Sequence, residues 1–201
     1  MKMGFDNLYK SYGDKKVLSG VSFSIEEKGR ICFFGPSGCG KTTAMRICLG
    51  LEAPDSGSVF GFSEIAASAQ FQENRLLKWR SAAENLMIAC DIDKDTAVSE
   101  LEKAGIANGD KIFPSELSGG MKRRVSLIRA MLKKSDIVFL DEPCKEMDDA
   151  LKQRMLRYIS DKISSRALVI ITHDISEAYF LVGSDNILDF TFEMQSDISN
   201  K

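Results

Sequence analysis

Residues 30–43 read Arg-Ile-Cys-Phe-Phe-Gly-Pro-Ser-Gly-Cys-Gly-Lys-Thr-Thr, an apolar run that passes directly into a glycine-rich loop. Arg30 to Phe34 is β-rich, and Ala44 to Leu51 continue as a helix that stops near Gly50 and Pro54. Gly35, Pro36, Ser37, Gly38, Cys39, Gly40, Lys41 and Thr42 match G-x-x-x-x-G-K-[ST] in the strand-to-helix context which that motif needs. Its glycines let backbone N–H groups close around phosphate oxygens, and the helix amino terminus adds a favourable dipole. In such a loop Lys41 reaches the β and γ phosphates of a nucleotide, and the Thr42 hydroxyl ligates Mg2+.

Outward from this loop, short apolar runs ending in glycine or aspartate alternate with helical patterns, which predicts an α/β fold. Asp136 to Leu140 and Ala167 to Thr172 are continuous apolar runs, as expected of strands buried on both faces of a parallel sheet. Phe5 to Ile25 alternates around Gly13-Asp14 and predicts a hairpin. Residues 81–107 read as helical with a stop at Asn108-Gly109, and Gly119 to Lys134 as an amphipathic helix with Met121, Val125, Ile128 and Leu132 on one face. Lys122 to Arg124 fall on its other faces, which predicts a solvated basic stripe rather than a nucleic-acid site. The polar stretch after Phe190 is expected to fray.

Composition limits the alternatives. With 201 residues, 44% of them hydrophobic, the chain is long enough for one domain with a core that needs no metal or disulfide staple. Its 27 basic and 29 acidic side chains leave a net charge of -2, so nothing global argues for nucleic acid as a partner. Asp6 interrupts any leader-like stretch, and no run approaches the ~18 apolar residues of a membrane span, so a cytosolic location is expected. The five cysteines form no CxxC pair and the only histidine is His173, so reduced thiols are expected rather than a metal or disulfide framework.

Two further stretches carry chemistry. Ile137 to Leu140 deliver Asp141 and Glu142 at a strand's carboxyl end, where open α/β sheets bind ligands. Asp141 suits Mg2+, and Glu142 suits orientation or deprotonation of an attacking water. Leu117-Ser118-Gly119-Gly120-Met121 places Ser118 as an N-cap and two glycines at the start of the basic helix, a second anion-binding terminus. His173 ends an apolar strand beside Asp174, whose spacing to Glu177 resembles a capping box.

In this order the motifs resemble the ATP-binding subunit of ATP-binding cassette (ABC) transporters over nearly the whole chain. The resemblance makes Gly35 to Thr42 the Walker A loop, Gln72 the Q-loop glutamine in preference to Gln70, Ser118 to Gly120 the signature, Asp141-Glu142 the end of Walker B, and His173 the switch histidine. It implies ATP and Mg2+ as cofactors, with Tyr12 stacking on adenine, and Thr42, Gln72 and Asp141 around the metal. Glu142, His173, Gln72 and Lys41 would be catalytic, while Thr43 would join the nucleotide contacts. It implies a P-loop cassette with a mostly parallel RecA-like core sheet, an N-terminal antiparallel β subdomain and a helical subdomain. On that pattern residues 1–201 are one domain: core and β subdomain at 1–72 and 134–190, helical signature subdomain at 73–133, and tail at 191–201.

The implied partners are a second nucleotide-binding subunit, with the signature acting in trans, transmembrane permease subunits, and a separate solute-binding protein. The implied location is peripheral on the inner face of the cell membrane. The run Arg75-Leu-Leu-Lys-Trp79 and the methionine after the double glycine resemble the nitrate, sulfonate and taurine importers, with Trp79 either a core residue or a partner contact. Departures from the pattern are a short linker before Gln72, a short stretch after His173 with no room for an appended regulatory domain, and Cys144-Lys-Glu-Met147 in place of Thr-Ser-Ala-Leu. A soluble non-transport ABC ATPase, a monomeric P-loop kinase and a binding-only cassette are the competing readings.

Overall fold

Alternation of side chains through one central sheet divides the molecule into two cores. A computed structural model describes residues 1–163 and 165–193. Five parallel strands form the sheet: β3 (Arg30–Phe34), β5 (Ala67–Gln70), β6 (Ile137–Asp141), β7 (Ala167–Thr172) and β8 (Ile187–Asp189), in the order β5-β6-β7-β3-β8. Along β6, Ile137 and Phe139 face one core, and Val138 and Leu140 face the other. On β7, Leu168 and Ile170 share the second core with Val138 and Leu140. This is the period of two expected of a strand covered on both faces.

The first core is closed by a second sheet. β1 (Lys2–Tyr12) pairs antiparallel with β2 (Lys15–Glu26) through the turn at Gly13-Asp14, and β4 (Ser56–Phe60) adds to the other edge of β1. Phe5, Phe23 and Phe33 meet edge-on or tilted between the sheets, with centroid distances of 4.4 Å for Phe5–Phe23 and 5.1 Å for Phe23–Phe33. Helix α1 (Lys41–Cys48) buries Ala44, Met45 and Ile47 in the same core.

The opposite core is helical. α2 (Ala82–Cys90), α3 (Lys94–Lys103), α4 (Gly119–Leu132), α5 (Asp149–Lys162) and α6 (Ile175–Val182) supply Leu86, Leu101, Ile128, Leu156 and Leu181 to it, and a short α7 (Phe190–Glu193) follows β8. The helix expected over residues 81–107 is two helices. Asp91 takes a left-handed conformation with φ 55° and ends α2, and the Asp93 side chain accepts from the Thr96 amide at 2.7 Å to start α3. The first helix begins three residues earlier than Ala44 and closes at Cys48. β4, β5 and β8 carry no long apolar run and were not expected. The stretch after Phe190 begins as α7, and its residues beyond Glu193 lie outside the described residues.

Every cysteine is buried and unpaired to another. Trp79, by contrast, is 71% exposed, so the core reading of that residue is corrected.

Phe139 is fully buried and its ring lies 5.9 Å from that of Phe62 across the first core. Phe139→Ala is expected to cost about 3–5 kcal/mol of stability, read as a lower urea midpoint at unchanged slope.

Candidate functional site

The phosphate loop takes its shape from glycines in conformations that side chains resist. Gly40 has φ 101°, and a Cβ there would lie 2.6 Å from the Val17 carbonyl oxygen of β2, so only glycine lets the loop lie against the hairpin. Lys41 is 5% exposed, and its Nζ donates to the carbonyl oxygens of Gly35 at 2.7 Å and Pro36 at 2.6 Å. The lysine therefore ties the loop back on itself, with its ammonium inside the curve where phosphate oxygens would be cradled. Gly35 and Cys39 turn inward, while Pro36, Ser37 and Gly38 are exposed.

A cavity of about 440 Å³ opens beside this loop. Ser37, Gly38, Gly40, Lys41, Thr42 and Thr43 line it together with Tyr12, Gln72 and Glu142. Tyr12 is half exposed and its hydroxyl contacts the Glu52 carboxylate. Gln72 is exposed at the cavity, whereas Gln70 is fully buried at the end of β5 with neither amide atom partnered among the described residues.

The far wall is the carboxyl end of β6. Asp141 is 0% exposed and accepts a hydrogen bond from Thr42 Oγ1 at 2.8 Å through Oδ2. Burial pushes its carboxyl above the ordinary range, the Thr42 bond opposes this, and the Glu142 charge adds to it. Its Oδ1 is buried with no hydrogen-bond partner among the described residues. A buried orphan carboxylate oxygen next to a loop hydroxyl fits a small hard cation held by one carboxylate, one hydroxyl and substrate phosphates, so the donor set suits Mg2+.

Glu142 is 3% exposed and sits at φ 48°. Its amide donates to the Ile171 carbonyl at 2.9 Å, and its own carbonyl accepts from buried Arg123 Nη1 of α4 at 2.9 Å. The carboxylate meets His173 Nδ1 at 3.3 Å on Oε1. Lys145 Nζ lies 3.0 Å from Oε2, angled so that the contact is a charge pairing rather than an aligned hydrogen bond. Burial raises the Glu142 carboxyl, but Lys145 and His173 outweigh it and hold the group below the usual carboxylate range.

His173 follows β7 with its side chain largely exposed. The Asp174–Glu177 capping box is corrected. The Asp174 side chain caps α6 through the Ser176 amide at 2.8 Å, but Glu177 turns inward to accept from Thr172 Oγ1 at 2.8 Å. The Asp174 amide donates instead to Thr172 Oγ1 at 3.0 Å, and Lys152 of α5 spans Asp174 and Glu177.

Ser118, Gly119 and Gly120 do not line the cavity. They open α4 elsewhere, where Ser118 Oγ accepts from the Met121 amide at 3.2 Å. A Cβ on Gly119 would lie 3.5 Å from Glu146 Oε2, so the loop after β6 sets a carboxylate beside that helix terminus. The expected solvated stripe is also corrected, since Arg123 is buried and spent on Glu142. Sequence reasoning missed Arg123, Lys145 and Lys152 as parts of the site. Only Lys145 carried a signal, its charge in an altered loop.

Comparison with known proteins agrees with this geometry. The family model described as ABC transporter matches residues 18–145. The aliphatic sulfonates import ATP-binding protein SsuB 1 of Rhodococcus jostii (strain RHA1) is 37% identical over 188 residues, covering 90% of this chain and 75% of that protein. The SsuB protein of Zymomonas mobilis subsp. mobilis (strain ATCC 31821 / ZM4 / CP4), also named as an aliphatic sulfonates import ATP-binding protein, is 37% identical over 183 residues, covering 87% of this chain and 76% of its own length. Among solved structures, the dimeric post-hydrolysis state of the ATP-binding cassette MJ0796 bound to ADP and Pi superposes with a TM-score of 0.82 at 23% identity, over 94% of each chain.

Arg123→Met removes the donor to the Glu142 carbonyl. It is expected to lower stability by about 1.5–3 kcal/mol in urea melts, the scale of one hydrogen bond from a charged donor, the Lys145 amide still donating to the same carbonyl.

Proposed function

The chain belongs to the ABC transporter family, and from that premise we propose that it is the ATP-binding and hydrolysing subunit of an importer, powering entry of a sulfonate-, nitrate- or taurine-type solute through separate transmembrane subunits. The observation that carries the reading is the meeting of Lys41, the Thr42–Asp141 pair, Gln72 and the Glu142–His173 pair around one cavity. ATP enters with adenine toward Tyr12 and phosphates in the Gly35 to Thr43 loop. Lys41 and the loop amides balance phosphate charge. Glu142 accepts a proton from water as the water oxygen bonds to the γ phosphorus and the bond to the β-phosphate oxygen breaks, releasing ADP and phosphate. His173 holds the Glu142 carboxylate in position. Thr42, Asp141 and Gln72 hold Mg2+, which supplies positive charge to the phosphate oxygens when bound.

Ser118, Gly119 and Gly120 then act on the nucleotide of a second copy, because they stand apart from this chain's own cavity. The helical segment at 73–133 is the permease-facing subdomain, set against a core and β subdomain at 1–72 and 134–190. A groove of about 440 Å³ lined by Leu76, Lys78, Pro114 and Lys122, next to exposed Trp79, supports a seat for a membrane subunit. No helix among the described residues is long and apolar enough to cross a membrane. The proposed place is therefore the inner face of the cell membrane, bound through the permease, with a separate binding protein selecting the solute. A binding-only cassette is the second reading, favoured by the Lys145 charge on Glu142.

Phosphate release decides between them. Glu142→Gln is expected to keep ATP affinity and lose turnover by roughly 10²–10⁴-fold, the range for a general base. Lys41→Ala is expected to weaken ATP binding itself. Turnover by the unaltered chain should rise per subunit as protein concentration rises. Absence of ATP turnover at every concentration, with ATP bound, favours the binding-only cassette.

A further inference from the structure

Two consecutive buried carboxylates stand at the end of β6, Asp141 at 0% exposure behind Thr42 and Glu142 at 3% exposure lining the cavity. A polyphosphate entering that cavity meets their charge in a place where water screens poorly. Asp141 has the Thr42 hydroxyl. Among the described residues neither a hydroxyl nor a backbone amide donates to the Glu142 carboxylate, and its charge is met by the His173 and Lys145 side chains.

Those neighbours come from several elements. His173, from the end of β7, lies at 3.3 Å on Oε1. Lys41, from α1, is committed to the Gly35 and Pro36 carbonyls. Arg123, from α4, is committed to the Glu142 carbonyl rather than its carboxylate. Lys145 alone among these cations directs its charge at the carboxylate, 3.0 Å from Oε2. It returns to Glu142 because a tight turn, with the Lys145 amide donating to the Glu142 carbonyl at 3.3 Å, folds the chain back after β6. Its side chain is 40% exposed and lines the cavity with Lys41 and Gln72.

We propose that Lys145 is a positioning residue for nucleotide, neutralising Glu142 so that a γ-phosphate can approach the buried carboxylate pair. The inference rests on the nucleotide site proposed above and adds to it a source of preference for triphosphate over diphosphate. ADP lacks the γ-phosphate, so its affinity should depend little on Lys145. Lys145 acts through Glu142, and without the Glu142 charge there is nothing for it to offset.

Calorimetric titration of the full chain with ATP and with ADP, in metal-free buffer containing EDTA, tests this. Lys145→Met is expected to weaken ATP about tenfold and ADP about twofold or less, the scale of one lost charge in a partly screened site. Lys145→Arg should restore ATP affinity. In a Glu142→Gln background, Lys145→Met should change ATP affinity about twofold or less, because the pair is coupled. Equal losses for ATP and ADP, no loss for either, or the same ATP loss with and without Glu142 would each overturn the inference. The unaltered chain separates the two levels of the argument. If it binds neither nucleotide, the nucleotide-site reading and this inference both fall, whereas tight ATP binding with an indifferent Lys145→Met defeats the inference alone.

Discussion

Placing Asp141 and Glu142 side by side at the end of a strand with both faces packed is the constraint on which the rest of the site depends. Buried carboxylates are costly unless hydrogen-bonded or paired. The fold meets that cost from different directions: Thr42 from α1 for Asp141, and His173 from β7 and Lys145 from the following loop for Glu142. Arg123 reaches across from α4 to the Glu142 backbone and fixes the strand end to the helical region. The groups that make the pair tolerable without nucleotide are mostly the groups that would handle it.

Strand order explains how these residues meet. β3 and β6 are not neighbours, because β7 lies between them, yet all three run parallel and end on the same edge. The phosphate loop leaves β3, the acidic pair ends β6, and His173 follows β7, so one edge collects all three. This is the position where open α/β sheets bind ligands. The two cores pack on either face of the sheet that carries this edge, with the phenylalanine cluster and β1–β2 hairpin on one side and the helical region on the other. Gly119 and Gly120 belong to the helical side and do not line the cavity, in keeping with the proposal that a second copy completes the site.

Much of this was legible in the sequence because its signals are local. Continuous apolar runs marked β3, β6 and β7, and the glycine spacing before Lys41 marked the loop. What was not legible depends on tertiary contact. Ala67–Gln70 forms a strand by pairing with β6, not by its own composition. Arg123 sits among basic residues and reads as solvated, yet the helix turns it inward to a carbonyl distant in sequence. Asp174 and Glu177 have capping-box spacing, but Glu177 finds a better partner in Thr172. The break at Asp91 required a left-handed residue that helical periodicity alone does not reveal.

In the proposed function two copies share each nucleotide site, and Glu142 takes the proton of the attacking water. The direct measurement is the solution mass of Glu142→Gln by light scattering after size exclusion, with and without Mg-ATP. The account predicts a monomer that doubles in mass when ATP is present and returns to monomer when ATP is removed. A variant that binds ATP and keeps the monomer mass at all protein concentrations would contradict it.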